Sequence, residues 1–213
     1  MVAEDMEGNI RKAMQSDMPK AAKVFCEAFP ESLARYSPNR APIEAIADLF
    51  EMCRKAQPEH FLVYDQNGMV LGYIIAPLSM RGIMLRSVFN GSAMMMLIRF
   101  FAGRYGISAP NAIRASINAV RNLFSSGRRL EQCDSRILSI GVSPEAQGKG
   151  IGKALLLGGI ASLEGAGAGK IRLEVKMGNT AAINLYNALG FERIGEISDE
   201  TGTWIAMIRR NAS

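Results

Sequence analysis

The chain has few of the residues that bind metals or form covalent cross-links. Its 213 residues include three cysteines, Cys26, Cys53 and Cys133, and a single histidine, His60. Three scattered cysteines are too few for a disulfide framework or a tetrahedral metal cluster, so we expect reduced, buried thiols and no bound metal. His60 starts an apolar run that predicts a strand, and we do not expect it to be catalytic.

Long uncharged apolar runs are also missing. No stretch reaches the ~18 apolar residues of a membrane-spanning helix, and no basic-then-apolar leader opens the sequence. We therefore expect a cytoplasmic protein without an integral membrane segment. A chain of 213 residues, 48% of them hydrophobic, is sufficient for one core. We predict a single domain over residues 1–213 that contains an insertion.

Between residues 81 and 130, arginine is the only charged residue type. This stretch contains eight arginines, at positions 81, 86, 99, 104, 114, 121, 128 and 129. Subtracting these eight charges from the formal net charge of +5 leaves about −3 for the rest of the chain. The basic character thus belongs to an arginine-rich insertion at about 81–130. Because that insertion lacks lysines and interleaved exposed aromatics, we expect no nucleic-acid partner.

A glycine-dense segment lies between a predicted strand, 136–142, and a predicted helix that begins at Lys153. Residues 147–152 read Gln-Gly-Lys-Gly-Ile-Gly. A turn from strand into helix directs unpaired backbone N–H groups and the positive end of the helix dipole at one point, which suits a phosphate. The P-loop pattern fails because Ala154 follows Lys153, and the dinucleotide pattern fails because position 153 is not glycine.

The segment instead matches Gln/Arg-x-x-Gly-x-Gly/Ala, and the chain resembles the GCN5-related N-acetyltransferases. Further matching positions are Asn179, Ala182, Tyr186, Gly190 and Phe191, together with an opening strand near Asn9 and Asp17. The resemblance covers both ends of the chain and skips its middle. It implies an α/β (α+β) fold, in which a mixed, mostly antiparallel sheet of six to seven strands is flanked by helices, with the helical insertion before the central strand.

This resemblance also implies the cofactor and the site. Acetyl-CoA would be the donor, Tyr186 would protonate the departing thiolate, and Gly141 would allow the strand to splay. Backbone groups of Ile140 and Val142 would hold the pantetheine arm and the thioester carbonyl. Asn179 would act as helix cap and cofactor contact at once. The residues expected to bind the cofactor are Ile140, Val142, Gln147, Gly148, Lys149, Gly150, Ile151, Gly152, Lys153 and Asn179.

The expected activity is acetyl transfer to a primary amine by direct attack in a ternary complex. The acceptor would be a small molecule or a peptide. A non-catalytic acyl-CoA-binding module is the alternative. No general base is assigned, because Glu27, Glu31, Asp134 and Glu174 all remain candidates and water could carry the proton.

Two helices are expected within the insertion. Residues 92–101 are apolar nearly all round, which predicts a helix that is buried or lies against something apolar. Ile113, Ile117, Val120 and Phe124 repeat at intervals typical of an amphipathic helix. Three readings of the insertion stay open: a packing or homodimer contact, a lid whose arginines receive an anionic acceptor, and a contact with an anionic membrane surface.

Overall fold

The structure is a computed structural model that describes residues 8–30, 42–105, 131, 133–199 and 202–211. Glu31 and the expected amphipathic helix at 113–124 lie outside these residues. Within the described ranges, no helix has the length and hydropathy needed to cross a membrane. The α/β fold is confirmed, and its strands form two four-stranded sheets instead of one sheet of six or seven strands.

The first sheet is antiparallel throughout. It contains β1 (Asn9–Lys12), β2 (Phe61–Gln66), β3 (Met69–Ile75) and β5 (Ser139–Val142), in the order β1-β2-β3-β5. The turn sequence Asp65-Gln-Asn-Gly68 between two apolar runs predicts a hairpin, and β2 and β3 form it. Its turn residues Asn67 and Gly68 have φ of 51° and 81°, and two consecutive positive φ values are typical of a type I′ turn.

The second sheet contains β4 (Arg136–Ile137), β6 (Lys170–Lys176), β7 (Glu192–Asp199) and β8 (Gly202–Arg210), in the order β4-β6-β8-β7. The β4 and β6 strands pair in parallel, and the remaining pairs are antiparallel. Residues 136–142 were expected to form one strand. They form two short strands, because β4 pairs with β6 whereas β5 pairs with β3.

The two sheets diverge at Leu138. The Arg136 N–H donates to the Pro77 carbonyl, and the Leu138 N–H donates to the Ile75 carbonyl at 2.8 Å. Ser139 is also the register partner of Ile75. Leu138 and Ser139 on one strand therefore lie opposite the single residue Ile75 on the other, which is the arrangement of a β-bulge. A bulge bends the strand that contains the extra residue. The bulge explains why one sequence run serves two sheets.

Hydrophobic cores lie on both faces of the sheets. Alternate residues of β3 point to opposite faces: Tyr73 packs with Phe50 and Phe61 in one core, and Ile74 packs with Leu155 in the other. Helices α1 (Met18–Ala28) and α2 (Ile43–Ala56) cover the first face. Helix α5 (Ile151–Gly165), preceded by a short 3-10 helix at Pro144–Ala146, and helix α6 (Thr180–Ala188) cover the second.

The insertion begins with two helices, α3 (Met80–Phe89) and α4 (Ser92–Phe101). Helix α3 was not anticipated from the sequence; the Ser79 hydroxyl caps it by accepting from the Gly82 N–H at 2.9 Å. Helix α4 forms where expected, and none of its residues is buried. Of the two alternatives for it, burial is therefore wrong, and a position against something apolar remains a prediction. Polar contacts fasten it to α2, including Arg99 with Asp48 and the Tyr105 hydroxyl donating to Asp48 at 2.7 Å.

Candidate active site

The glycine loop forms an open cradle at the start of α5. Gly148 and Gly150 have φ of 77° and 81°, and Gly150 is the residue that caps the N-terminus of the helix. A Cβ atom at either glycine would meet no protein atom within 4 Å. The backbone therefore has this left-handed shape while leaving room for a ligand, and the orphan N–H groups of the helix N-terminus attract phosphate oxygens. The arrangement fits the pyrophosphate of coenzyme A.

The residues around this cradle divide into exposed and buried members. Gln147, Lys149 and Lys153 are exposed, so their side chains can reach a phosphate. The Gln147 amide also donates to the Val142 carbonyl at 3.2 Å and ties the loop to the end of β5. Ile151 is different, because its side chain lies in the hydrophobic core. Only its backbone N–H is available to a cofactor.

Gly141 has a packing role that differs from the one expected for it. A Cβ atom at this position would lie 2.7 Å from Cε1 of Tyr73, so a side chain here would displace that buried ring. The bulge at Leu138 lies where the strands splay, and a contribution of Gly141 to the splaying remains a prediction. Gly141 is required because the aromatic core of α1 and α2 closes directly over β5.

The backbone of β5 offers hydrogen-bonding groups to the gap between the sheets. The Ser143 N–H donates to the Leu71 carbonyl at 2.9 Å, which makes this facing pair a hydrogen-bonded one. Hydrogen-bonded pairs alternate along an antiparallel ladder. The backbone N–H and C=O of Gly141 therefore also point toward β3, whereas those of Ile140 and Val142 point away from β3. These groups point to the side where β6 has diverged. They suit a pantetheine arm that would replace the missing strand.

A cleft of about 580 Å³ occupies this gap. Ile140, Asn179 and Tyr186 line it, as do Glu174 and Trp204 from β6 and β8 and Phe25 and Phe29 from α1 and its end. These residues come from both faces of the sheets, since Tyr186 belongs to the core under α5 and Phe25 packs on the core under α1. The cleft thus connects the glycine-loop side of the fold with the opposite face.

Tyr186 lies in the cleft wall with 7% of its surface exposed. Its ring meets Phe191 edge-on, with centroids 5.9 Å apart. Burial raises the pKa of the Tyr186 hydroxyl to about 12, so the group stays protonated at neutral pH. The Asn179 side-chain oxygen accepts from the Ala182 N–H at 3.1 Å, and the residue also lines the cleft. The interpretation of Asn179 as helix cap is confirmed, and its contact with cofactor remains a prediction.

Among the three candidate bases that the structure describes, Glu174 is the one that lines the cleft. Arg172, which is almost fully buried, donates to Glu174 at 2.9 Å and orients the carboxylate. Glu27 instead pairs with Lys23, and Asp134 accepts from the Ser79 hydroxyl at 2.6 Å. His60 lies elsewhere, hydrogen-bonded to Ser162 at 2.8 Å, and burial lowers its pKa.

Sequence reasoning missed Phe29 and Trp204 as cleft residues. Trp204 faces Lys176 across β6 and β8, and this register between distant segments has no signature in the sequence. Phe29 directly follows α1, where the sequence indicates only an apolar helix end. Glu174 was among the candidates named from the sequence, and its position two residues after Arg172 on one strand puts both side chains on the same face.

These features define the class of protein. It is an α/β protein that has a phosphate-binding loop at a helix N-terminus and, beside the loop, a splayed strand edge suited to an extended acyl carrier. The sequence matches the Acetyltransferase (GNAT) family over residues 23–191, and the chain belongs to that family. Acetyl-CoA is the donor that this family uses, and one solved structure that shares the fold contains it.

Solved structures share this fold along nearly the whole chain. PH1933 from Pyrococcus horikoshii has a TM-score of 0.63 at 20% identity and covers 97% of this chain and 100% of that chain. A protein described as histone acetyltransferase HPA2 and related acetyltransferase, from Corynebacterium glutamicum, is 26% identical, with a TM-score of 0.60 and 98% coverage of both chains. The yncA protein from Salmonella typhimurium, solved with its cofactor acetyl-CoA, has a TM-score of 0.58 at 18% identity, covering 95% and 93%.

Similar curated proteins match over a shorter stretch. Mycothiol acetyltransferase from Renibacterium salmoninarum is 48% identical over 62 residues, which are 29% of this chain and 18% of that protein. Its counterpart from Actinosynnema mirum is 38% identical over 70 residues, or 33% of this chain and 24% of that protein. The match spans less than a quarter of the length of these relatives.

Proposed function

We propose that this chain transfers the acetyl group of acetyl-CoA to a primary amine by direct attack in a ternary complex. The observation that carries the proposal is the single cleft between β5 and β6, which Tyr186 and Ile140 line together with Glu174. A donor on the glycine-loop side and an amine on the α1 side would meet in that gap. No acetylated side chain is then needed between them.

Each group in the cleft has a role in this reaction. Acetyl-CoA supplies an acetyl thioester. The backbone N–H of Ile140 would hold the thioester carbonyl oxygen and stabilise the negative charge that develops there. As the new C–N bond forms and the C–S bond breaks, the Tyr186 hydroxyl would give its proton to the departing sulfur. Glu174, directly or through a water molecule, would take the proton that the amine nitrogen loses.

The acceptor half of the cleft supports an amine with an apolar neighbour. Phe25, Phe29 and Trp204 give this part of the wall large apolar surfaces, and Glu174 contributes a carboxylate. A carboxylate among apolar side chains attracts the ammonium form of the acceptor. The ammonium group then loses a proton and becomes the attacking amine. We infer a small-molecule or peptide amine as acceptor. Because the curated relatives are named mycothiol acetyltransferase, mycothiol-type amines are also acceptors to test.

The free thiols and the acetyl-CoA donor bear on the cellular location of the protein. Cys26, Cys53 and Cys133 are free, and burial raises the pKa of the Cys53 thiol to about 12. Unreactive free thiols and an acetyl-CoA-dependent reaction are both consistent with the cytoplasm, which we propose as the location.

Thiol release from acetyl-CoA in the presence of an amine panel tests the proposal. The panel should include small primary amines, aminosugars and peptides with a free N-terminus. Release that depends on one amine class, with an acetylated product in the expected amount, is the predicted result. Acetyl-CoA binding without release in the presence of any amine would favour the alternative, a non-catalytic acyl-CoA-binding module.

A further inference from the structure

Helices α3 and α4 carry a continuous apolar surface, here called the α3–α4 face. Nine of the fifteen exposed large hydrophobic residues in the described part of the chain lie on it. Phe89 and Phe101 are the most exposed, at 87% and 82%. Monomeric soluble proteins rarely expose so many neighbouring apolar side chains unless the surface binds something. The members of the face are Met84, Leu85, Val88, Phe89, Met94, Met95, Leu97, Ile98 and Phe101.

Each helix presents these residues as one stripe. On α3 they follow the spacing i, i+1, i+4 and i+5, and on α4 the spacing i, i+1, i+3, i+4 and i+7, both of which mark one side of a helix. The opposite side is fastened to α2. Arg86 donates to the Ala56 carbonyl at 2.6 Å, Arg99 pairs with Asp48, and Arg104 pairs with Glu44 at 3.3 Å. The stripes are therefore held outward.

Charge indicates what would cover this face. The insertion at 81–130 contains eight arginines and no acidic residue. Four of them lie in the described residues, where Arg99 and Arg104 pair with α2 carboxylates and Arg81 is exposed. A second copy docked through the same face would bring two such arginine-rich segments together, and their repulsion opposes a symmetric dimer. An anionic lipid surface matches both properties, since it accepts apolar side chains below its headgroups and attracts arginines at them.

We propose that the α3–α4 face is a docking surface for an anionic lipid membrane. The two helices would lie in the plane of the interface, with Phe89 and Phe101 among the inserted side chains. Exposed Arg81 would lie among the headgroups. Binding of this kind combines apolar burial with electrostatic attraction and remains reversible.

Vesicle co-sedimentation of the full chain tests the proposal. The probe is a vesicle of phosphatidylcholine with about 30 mol% phosphatidylglycerol, compared with phosphatidylcholine alone. We expect binding to the anionic vesicles, at least about tenfold weaker binding to the neutral ones, and weakening by salt. Phe89→Ser with Phe101→Ser should reduce binding to the anionic vesicles by at least about tenfold. Both side chains are exposed, so the variant loses no core packing.

Met94→Ser and Met69→Ser form a matched pair, because the two side chains are 61% and 59% exposed and Met69 lies at the start of β3, outside the face. The first should weaken vesicle binding and the second should not. Absence of binding to anionic vesicles by the wild type would overturn the proposal, as would equal weakening by the two methionine variants. A lipid-free dimer that the double serine variant converts to monomer would overturn it in favour of a second copy.

Discussion

Helices α4 and α5 are both rich in apolar residues, yet their surroundings differ completely. Six residues of α5 are buried, including Leu155, Leu156 and Leu163, whereas α4 has none. Helix α5 packs against β2, β3 and β5 in a core that spans both sheets, whereas α4, among the described elements, packs mainly against α2 and α3. An apolar composition therefore predicts that a helix has an apolar surface. Whether that surface is buried depends on which elements pack beside the helix.

The largest difference between these helices should appear in stability. Leu155→Ala removes a fully buried side chain from α5, so we expect the free energy of unfolding to fall by about 2–5 kcal/mol. Leu97→Ala on α4 removes an exposed side chain and should change it by no more than about 0.5 kcal/mol. Urea unfolding measures both. Equal losses would mean that α4 is covered within the monomer.

One carboxylate in the cleft and one that holds α4 should differ in their effect on turnover. Glu174→Gln should lower kcat by roughly 10- to 100-fold, because the glutamine cannot accept the amine proton. Asp48→Asn weakens the contacts of Arg99 and Tyr105 that fasten α4 to α2 and should leave kcat within about twofold. Steady-state rates at saturating acetyl-CoA compare them. If only the Asp48 variant lost turnover, the insertion, and not the cleft wall, would hold the catalytic group.

Two glycines at equivalent positions give a closer comparison. Gly150 caps α5 with φ of 81°, Gly91 caps α4 with φ of 74°, and a Cβ atom at either would meet no protein atom within 4 Å. Alanine at each should cost about 1 kcal/mol of stability through backbone strain. Only Gly150→Ala should also weaken acetyl-CoA binding, by about tenfold, as measured by calorimetry. Equal affinities in the two variants would remove the loop from the cofactor site.

The smallest expected effect is an unchanged rate at alkaline pH. A general acid works only while protonated, and burial raises the pKa of Tyr186 to about 12. Ionisation of this residue should therefore cause no loss of kcat between pH 8 and about 10. A pH–rate profile checks this. An alkaline fall near pH 10 that disappears in Tyr186→Phe would show that the hydroxyl is more exposed during catalysis than in the free protein.

Local pattern predicted the parts of the fold that local residues determine. The turn at Asn67–Gly68, the glycine loop at 147–152 and the spacing from Asn179 to Tyr186 are short-range features, and each element they imply was found. The bulge at Leu138 could not be predicted, because it depends on hydrogen bonds to Ile75 and Pro77 in another strand. Helix α3 was missed, although its exposed apolar residues Met84, Leu85, Val88 and Phe89 have helical spacing.

The acceptor side of the cleft was beyond the sequence for the same reason. Glu174 was a candidate from the sequence, but Phe29 and Trp204 join it only through the packing of α1 and the register of β6 and β8. The cofactor side, in contrast, lies in one nearly continuous stretch from β5 to α6, which a motif can describe. A family resemblance therefore predicts the donor more readily than the acceptor.

Tyr186→Phe tests the central claim most directly, that donor and acceptor react in the cleft beside this hydroxyl. The substitution keeps the ring that packs on Phe191 and removes only the proton donor. We predict a fall in kcat of roughly 10²-fold, with the dissociation constant of acetyl-CoA changed by less than about twofold. Turnover equal to that of the wild type, at the same affinity, would contradict the account.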